Sequence, residues 1–233
     1  MSEPWYVEFF RGDYQKLYSF EPERSAREAA FARRVLALPA GARVLDLCCG
    51  SGRHLRELGA VGVDLQLASL RGLPAACAEM RALPFRSGAF DGVVGLFSSF
   101  GYLETDEEDL RVLREVTRVL RRRGALLLDL LNREHALAGF APSVQRVEED
   151  GTLIAEQRCF DEMSSRLTTA FVVISPSGER TDSVGHTLRL YTLTELSRML
   201  DAEGLSVEAV YGGFAGEEYS LESVRMIALA RRV

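Results

Sequence analysis

Hydrophobic and polar positions follow two different rhythms along this chain. From residue 43 to residue 131, short apolar runs alternate with segments of helical periodicity. Arg43 to Leu47, Val61 to Asp64, Ala76 to Glu79, Phe90 to Phe97 and Ala125 to Leu131 read as five strands. Their nearly continuous apolar character is that of strands buried on both faces. Helices are predicted from Gly50 to Leu58, near Gln66 to Gly72 and from Asp106 to Leu120. The last has the clearest boundaries. Thr105 and Glu108 form a capping box, and Asp106, Glu107 and Glu108 sit in the positive first turn. Arg121 to Arg123 read as a solvated negative end, with Gly124 at C′. An earlier helix, Glu23 to Leu38, repeats Ala26, Ala30, Phe31, Val35 and Leu38 at helical spacing, and Pro39, Ala40 and Gly41 end it. Strands alternating with helices predict an α/β fold whose parallel sheet is covered on both faces.

The rhythm then changes to a period of two. Val144 to Glu149, Thr152 to Glu162, Arg166 to Ile174 and Val184 to Tyr191 read as strands with no helix between them, and Ser175 to Gly178 as a turn. This is an antiparallel β insertion after the fifth strand, spanning 141–191. A capping box at Thr192 and Glu195 then starts a helix that Gly204 ends. Leu205 to Tyr211 and Val224 to Ala230 are the last two strands. The expectation is a single domain over 1–233, with 1–40 as an N-terminal helical lid.

Composition narrows the class. The 233 residues carry a net charge of −6, a poor match for a phosphate backbone, so nucleic acid is disfavoured as a partner. The N-terminal segment lacks an apolar signal core, and no apolar run reaches membrane-spanning length. Cys48, Cys49, Cys77 and Cys159 show no CxxC spacing, so the expectation is a reduced, cytoplasmic protein with no metal site. Cys48 and Cys49 read as small packing residues.

The chemistry concentrates in VLDLCCGSGRH, Val44 to His54, a strand-to-helix turn where glycines let backbone approach a ligand. Phosphate-binding loops of the G-x-G-x-x-G or G-x-x-x-x-G-K-[ST] type are missing; the glycines are Gly50 and Gly52 alone. Asp46 at the mouth of the turn would repel a pyrophosphate but attract a ligand with an ammonium and a sulfonium. S-adenosylmethionine has both and no phosphate. Asp64, ending the second strand, suits a ribose diol. Glu79 suits the adenine amino group as an acceptor, and the Met80 N–H suits the ring.

VLDLCCGSG resembles the glycine-rich first motif of class I S-adenosylmethionine-dependent methyltransferases, GVDL their acidic second motif, and AEMRALPF and FDGVV their third and fourth. The resemblance implies a Rossmann-like, doubly wound seven-stranded sheet with an antiparallel last strand. It implies S-adenosylmethionine as cofactor, held by Asp46, Cys48, Gly50, Gly52, Asp64, Leu65, Glu79, Met80, Arg81, Leu96 and Phe97. Cys48 stands where the family usually has its first glycine, which requires a negative φ of that residue. Glu79 replaces a usual Asp.

LFSSFGYL, Leu96 to Leu103, is similar to the fourth-motif loop of small-molecule enzymes, including sugar N,N-dimethyltransferases and glycine N-methyltransferase-like proteins. The [DN]PP[YF] of nucleic-acid N-methylases is missing there. The reading is a small-molecule N- or O-methyltransferase, monomeric or homodimeric. Its acceptor would lie among Ser99, Tyr102, Asn132, the insertion with His186, and the N-terminal lid. A protein or tRNA methyltransferase, or a non-catalytic nucleoside-binding module, are the other readings. His54 has two readings, a contact to the cofactor's carboxylate or a capping or solvated residue. His186 also has two, a general base or a histidine at the core rim. The N-terminal aromatics, Trp5 to Tyr18, read as core contacts, of which one or two tyrosines could reach the site. In-line methyl transfer needs alignment above all, and no catalytic dyad is evident.

Overall fold

The computed structural model describes residues 5–12, 14–18, 21–66 and 70–233. In chain order its elements are α1 (Trp5–Gly12), α2 (Tyr14–Leu17), α3 (Pro22–Leu36), β1 (Val44–Leu47), α4 (Leu55–Leu58), β2 (Val61–Asp64), β3 (Ala75–Cys77) and β4 (Phe90–Gly95). There follow α5 (Asp106–Val119), β5 (Leu120–Leu131), α6 (Arg133–Ala138), β6 (Ser143–Val147), β7 (Leu153–Asp161), β8 (Arg166–Ile174) and β9 (Arg180–Arg189). The chain ends with α7 (Leu193–Ala202), β10 (Leu205–Tyr211) and β11 (Arg225–Arg232).

The chain divides into two compact units, residues 20–136 with 191–233, and residues 1–19 with 137–190. The larger unit holds a seven-stranded sheet in the order β10-β11-β5-β4-β1-β2-β3. Pairs from β3 through β5 are parallel, and β11 is antiparallel to both β5 and β10. Phe31 and Leu36 of α3 and Leu55 and Leu58 of α4 share a core with Val94, Leu127, Ile227 and Leu229. Alternation sends Val93, Leu126, Leu128 and Ala228 to the opposite face, where they are equally buried. That two-sided burial is why these strands lack a polar rhythm.

The smaller unit holds the four-stranded antiparallel sheet β6-β7-β8-β9. Phe9 and Leu17 pack with Ile154 and Phe171, and Trp5, Phe10, Tyr14 and Tyr18 surround them. The N-terminal aromatics are therefore core contacts of this unit. The segment expected as one lid over 1–40 is divided, since α1 and α2 belong with the insertion while α3 belongs with the large sheet.

Other expectations shift locally. The first helix after β1 begins only at Leu55, with turns preceding it, and the helix expected near Gln66 to Gly72 falls partly outside the described residues. Gly124 is not a helix C′. The helix stops at Val119 because Leu120 already pairs with Phe90 in the sheet. The pairing resumes at Gly92 with Ala125, so Arg121 to Gly124 form a bulge against Asp91. Arg123 takes the left-handed conformation there (φ 61°), and Gly124 is needed for close approach, because a Cβ would lie 2.9 Å from the Arg121 carbonyl. Arg121 is tied to Asp91 at 2.6 Å rather than simply solvated.

Candidate functional site

The carboxyl ends of β4, β1, β2 and β3 are neighbours, so the segments following them form one rim. Strand order reverses between β1 and β4, the crevice where open α/β sheets bind ligands. The rim brings together the loop Asp46 to Gly52, Asp64 with Leu65, Glu79 to Arg81, and Leu96 with Phe97.

Gly50 and Gly52 have φ of 56° and 76°, and a Cβ on Gly52 would meet Leu73 at 2.4 Å. Cys48 also has positive φ, 57°, which overturns the expectation of a negative value. The turn keeps the backbone path of a glycine and places a strained cysteine on it. Cys48 Sγ rests 3.6 Å from Met80 Sδ, joining the first and third motifs. Burial and the nearby carboxylates push both thiols up, that of Cys49 to about 12, so neither is a nucleophile.

Asp64 binds the loop directly. Its Oδ2 accepts from Gly50 N (2.8 Å) and its Oδ1 from Gln66 N (2.9 Å), which leaves lone pairs on both oxygens. Leu65, beside it, is 40% exposed. Glu79 lies beyond β3 rather than at its end. It accepts from Arg81 N (3.0 Å) and Arg81 Nε (2.6 Å), and Arg81 also pairs with Glu108 on α5.

Asp46 is buried, and its Oδ2 has no hydrogen-bond partner among the described residues. Burial pushes its carboxyl up to about 7, with Arg53 pulling it down and Asp64 pushing it up. His54 is neither a side-chain cap nor solvated. It is buried, with Nε2 2.9 Å from Glu28 Oε2. Glu28 also accepts from Arg24 Nε (2.9 Å) and from Arg53. Burial alone would raise the Glu28 carboxyl, but the hydrogen bonds from His54, Arg24 and Arg53 hold it at about 2. Both guanidiniums lie over the ring of Phe97, 5.3 and 5.6 Å from its centroid.

Phe97 and Ser98 are both left-handed, with φ of 60° and 56°. Asp129 holds them there. Its Oδ2 accepts from Phe97 N (2.7 Å), its Oδ1 from Arg225 Nε (2.7 Å), and Arg225 Nη2 donates to Ser98 Oγ (2.8 Å). Leu96 is buried, Tyr102 is half-buried, and the Ser99 hydroxyl is buried with no hydrogen-bond partner among the described residues.

Two expected acceptor residues serve the fold. Asn132 donates through Nδ2 to the carbonyls of Ser220 (3.0 Å) and Ser223 (2.7 Å), and its Oδ1 accepts from Glu134 N and Tyr219 OH. That uses its hydrogen-bonding capacity. His186 belongs to the smaller unit, packed against Phe9 and Phe171 at centroid distances of 5.1 and 5.7 Å. Burial pushes its pKa down to about 4, so it is a neutral core histidine. The residues missed in the sequence are Glu28, Arg24, Arg53, Asp129 and Arg225. An acid inside the apolar run LLLDLL was the available signal for Asp129.

This sheet order, with a glycine loop and acids at successive strand ends, defines a nucleoside-binding α/β protein. Residues 45–128 match the family described as Methyltransferase domain. Over 209 residues, 82% of this chain and 84% of the relative, it is 30% identical to the cypemycin N-terminal methyltransferase of a Streptomyces species. It is also 30% identical over 194 residues to dTDP-3-amino-3,4,6-trideoxy-alpha-D-glucopyranose N,N-dimethyltransferase of Streptomyces venezuelae, covering 76% and 81% of the two chains. The fold matches that of the CcbJ methyltransferase from Streptomyces caelestis with a TM-score of 0.85 at 20% identity over 100% of both chains. The chain belongs to the class I S-adenosylmethionine-dependent methyltransferases, enzymes whose cofactor is S-adenosylmethionine. Among the described residues no helix is long and apolar enough to cross a membrane.

Proposed function

We propose that this enzyme methylates a nitrogen or oxygen of a small-molecule acceptor, with an amine as the favoured group. The carrying observation is the Ser99 hydroxyl, buried two residues beyond Phe97 without a partner among the described residues, which suits a polar group of an acceptor. The two relatives named above act, by their names, on a peptide N-terminus and an amino sugar, and both are amines. A neutral amine needs no general base, consistent with thiols held protonated at the rim. The net charge of −6 and the missing [DN]PP[YF] weigh against nucleic acid. The protein is taken to work in the cytoplasm as a monomer or homodimer.

When bound, the cofactor supplies a methyl group on a positively charged sulfur. The chemistry of the rim fits this ligand. Asp46, a buried acceptor lacking a donor, would take the α-ammonium. Arg24 and Arg53, two positive charges around the single charge of Glu28, would draw the carboxylate. Asp64 has lone pairs left for the ribose hydroxyls, and Glu79 and the Met80 N–H would face the adenine. Cys48, Gly50 and Gly52 shape the backbone under it, with Leu65, Arg81, Leu96 and Phe97 around it. Alignment in such a dry site supplies several kcal/mol of catalysis.

The test uses purified enzyme with methyl-labelled S-adenosylmethionine and a panel of amino sugar nucleotides, short peptides, hydroxylated analogues and tRNA. Label on an amine is the expected outcome; label on tRNA alone would overturn the proposal. Asp64→Ala should weaken cofactor binding at least tenfold by calorimetry, and an unchanged affinity would remove the ribose assignment.

A further inference from the structure

His54 lies between two carboxylates, and the one on α3 decides which face it shows the other. Nε2 is 2.9 Å from Glu28 Oε2, and Nδ1 is 3.9 Å from Asp46 Oδ2. Glu28 is ionised and only accepts, so the hydrogen between them sits on His54 Nε2. Burial and the charge of Arg53 disfavour the imidazolium, while Glu28 partly favours it; the net direction is downward and the ring is neutral. A neutral ring with its hydrogen on Nε2 carries a lone pair on Nδ1. That lone pair faces an Asp46 oxygen which itself has no donor.

Two buried acceptors face each other here, and among the described residues nothing donates to the Asp46 oxygen. The arrangement calls for a donor from outside with at least two N–H bonds. The acids favour a cation there: Asp46 and Asp64 lie on this side and Cys48 and Cys49 are uncharged thiols, while the positive balance of Arg24 and Arg53 over Glu28 reaches Asp46 only in part. A nitrogen placed roughly 2.9 Å from each acceptor spans a gap of this width.

We propose that His54 Nδ1 and Asp46 together form a two-acceptor seat for the cofactor's α-ammonium, and that Glu28 is a positioning residue that fixes the His54 tautomer for this purpose. The proposal rests on the cofactor reading given above and adds a specificity to it, recognition of the amino group. It also inverts the expected role of His54, which turns a lone pair toward the ammonium rather than a hydrogen toward the carboxylate. Glu28→Gln removes the charge that fixes the ring hydrogen on Nε2 and offers an amide N–H beside it; with the hydrogen on Nδ1, His54 would compete with the ammonium for Asp46.

The experiment measures calorimetric affinities of the intact enzyme for S-adenosylhomocysteine and for its analogue in which hydrogen replaces the α-amino group. The wild-type enzyme should prefer the amino form by tenfold or more. Glu28→Gln and, independently, His54→Phe should each reduce that preference about tenfold, read as the ratio of the two affinities, which cancels any change common to both ligands. A merely structural loss would weaken both ligands alike and leave the ratio intact. Variants that bind with the wild-type ratio overturn the proposal. A wild-type enzyme that binds neither ligand overturns the cofactor reading instead.

Discussion

Asp129 of β5 and Arg225 of β11 meet diagonally across neighbouring strands, two register positions apart, carboxylate to guanidinium at 2.7 Å, with the Asp129 side chain almost wholly buried. The pair acts on a third place. The remaining Asp129 oxygen holds Phe97 N, and the remaining guanidinium arm holds Ser98 Oγ. Two consecutive non-glycine residues thus stay left-handed, at a strain of about 1–3 kcal/mol each. Removing one member of a buried pair strands the other, at a cost of about 3–5 kcal/mol. Arg225→Met should therefore lose stability on that scale in urea unfolding. The double variant Asp129→Asn/Arg225→Met should lose less than the sum of the two single losses. Strictly additive losses would refute the coupling.

Asp46 gives cofactor binding a pH dependence. With its carboxyl at about 7, the group carries a proton below that pH and its attraction for an ammonium is lost. Affinity for S-adenosylmethionine should fall toward tenfold per pH unit as pH drops below about 7. Stability of the cofactor-free enzyme runs the other way. A folded pKa raised from 3.8 to about 7 means the folded state binds more protons than the unfolded state within that window. Stability from this group is then present below pH 3.8 and lost as pH rises through 7, by up to about 4 kcal/mol. Asp46→Asn should remove both trends, in calorimetric titrations and in melting curves between pH 5 and 8. Retention of either trend by the variant would assign it to another group.

The sequence was most legible where structure is decided locally. Val61–Asp64, Arg166–Ile174 and Leu205–Tyr211 are strands at the predicted bounds, and Thr192 with Glu195 forms its capping box. The acids of the rim were legible for the same reason, since each lies within or just beyond the last residues of a strand and strand ends share an edge. Leu120 to Gly124 misled because a basic run followed by glycine is a good helix end in isolation. Pairing of Leu120 with Phe90 outweighs that signal. Glu28 reaches His54 across 26 residues and Asp129 reaches Arg225 across 96, separations that no local pattern encodes. Asn132 reads in the sequence only as a polar residue following the fifth strand, beside the expected acceptor. Here the loop 219–224 folds back and uses it.

Asn132→Ala tests that use. The substitution leaves the carbonyls of Ser220 and Ser223 and the hydroxyl of Tyr219 without this partner, at a cost of about 2–4 kcal/mol. The expected result is a melting temperature lower by several degrees with cofactor affinity within about twofold of wild type. A large loss of cofactor affinity in a variant that remains folded would instead give Asn132 a direct part in the site.

Cys48 and Gly50 share one turn and nearly one backbone conformation, φ 57° and 56°, so the two should respond to substitution with opposite signs. A left-handed L-residue is strained by about 1–2 kcal/mol, and glycine is not. Cys48→Gly removes that strain and loses only the contact of a half-buried sulfur with Met80. After the extra unfolded-state entropy of glycine, the net gain should be about 1 kcal/mol, or roughly 2–4 °C in melting temperature for a chain of this size. Gly50→Ala places a Cβ in open space, so any loss there comes from φ alone and should be about 1 kcal/mol. Cofactor affinity should persist in Cys48→Gly, because the backbone path of the turn is unchanged. If Cys48→Gly instead melts lower than wild type, packing of the thiol outweighs the strain, and the cysteine is retained for its side chain rather than tolerated in a glycine's place.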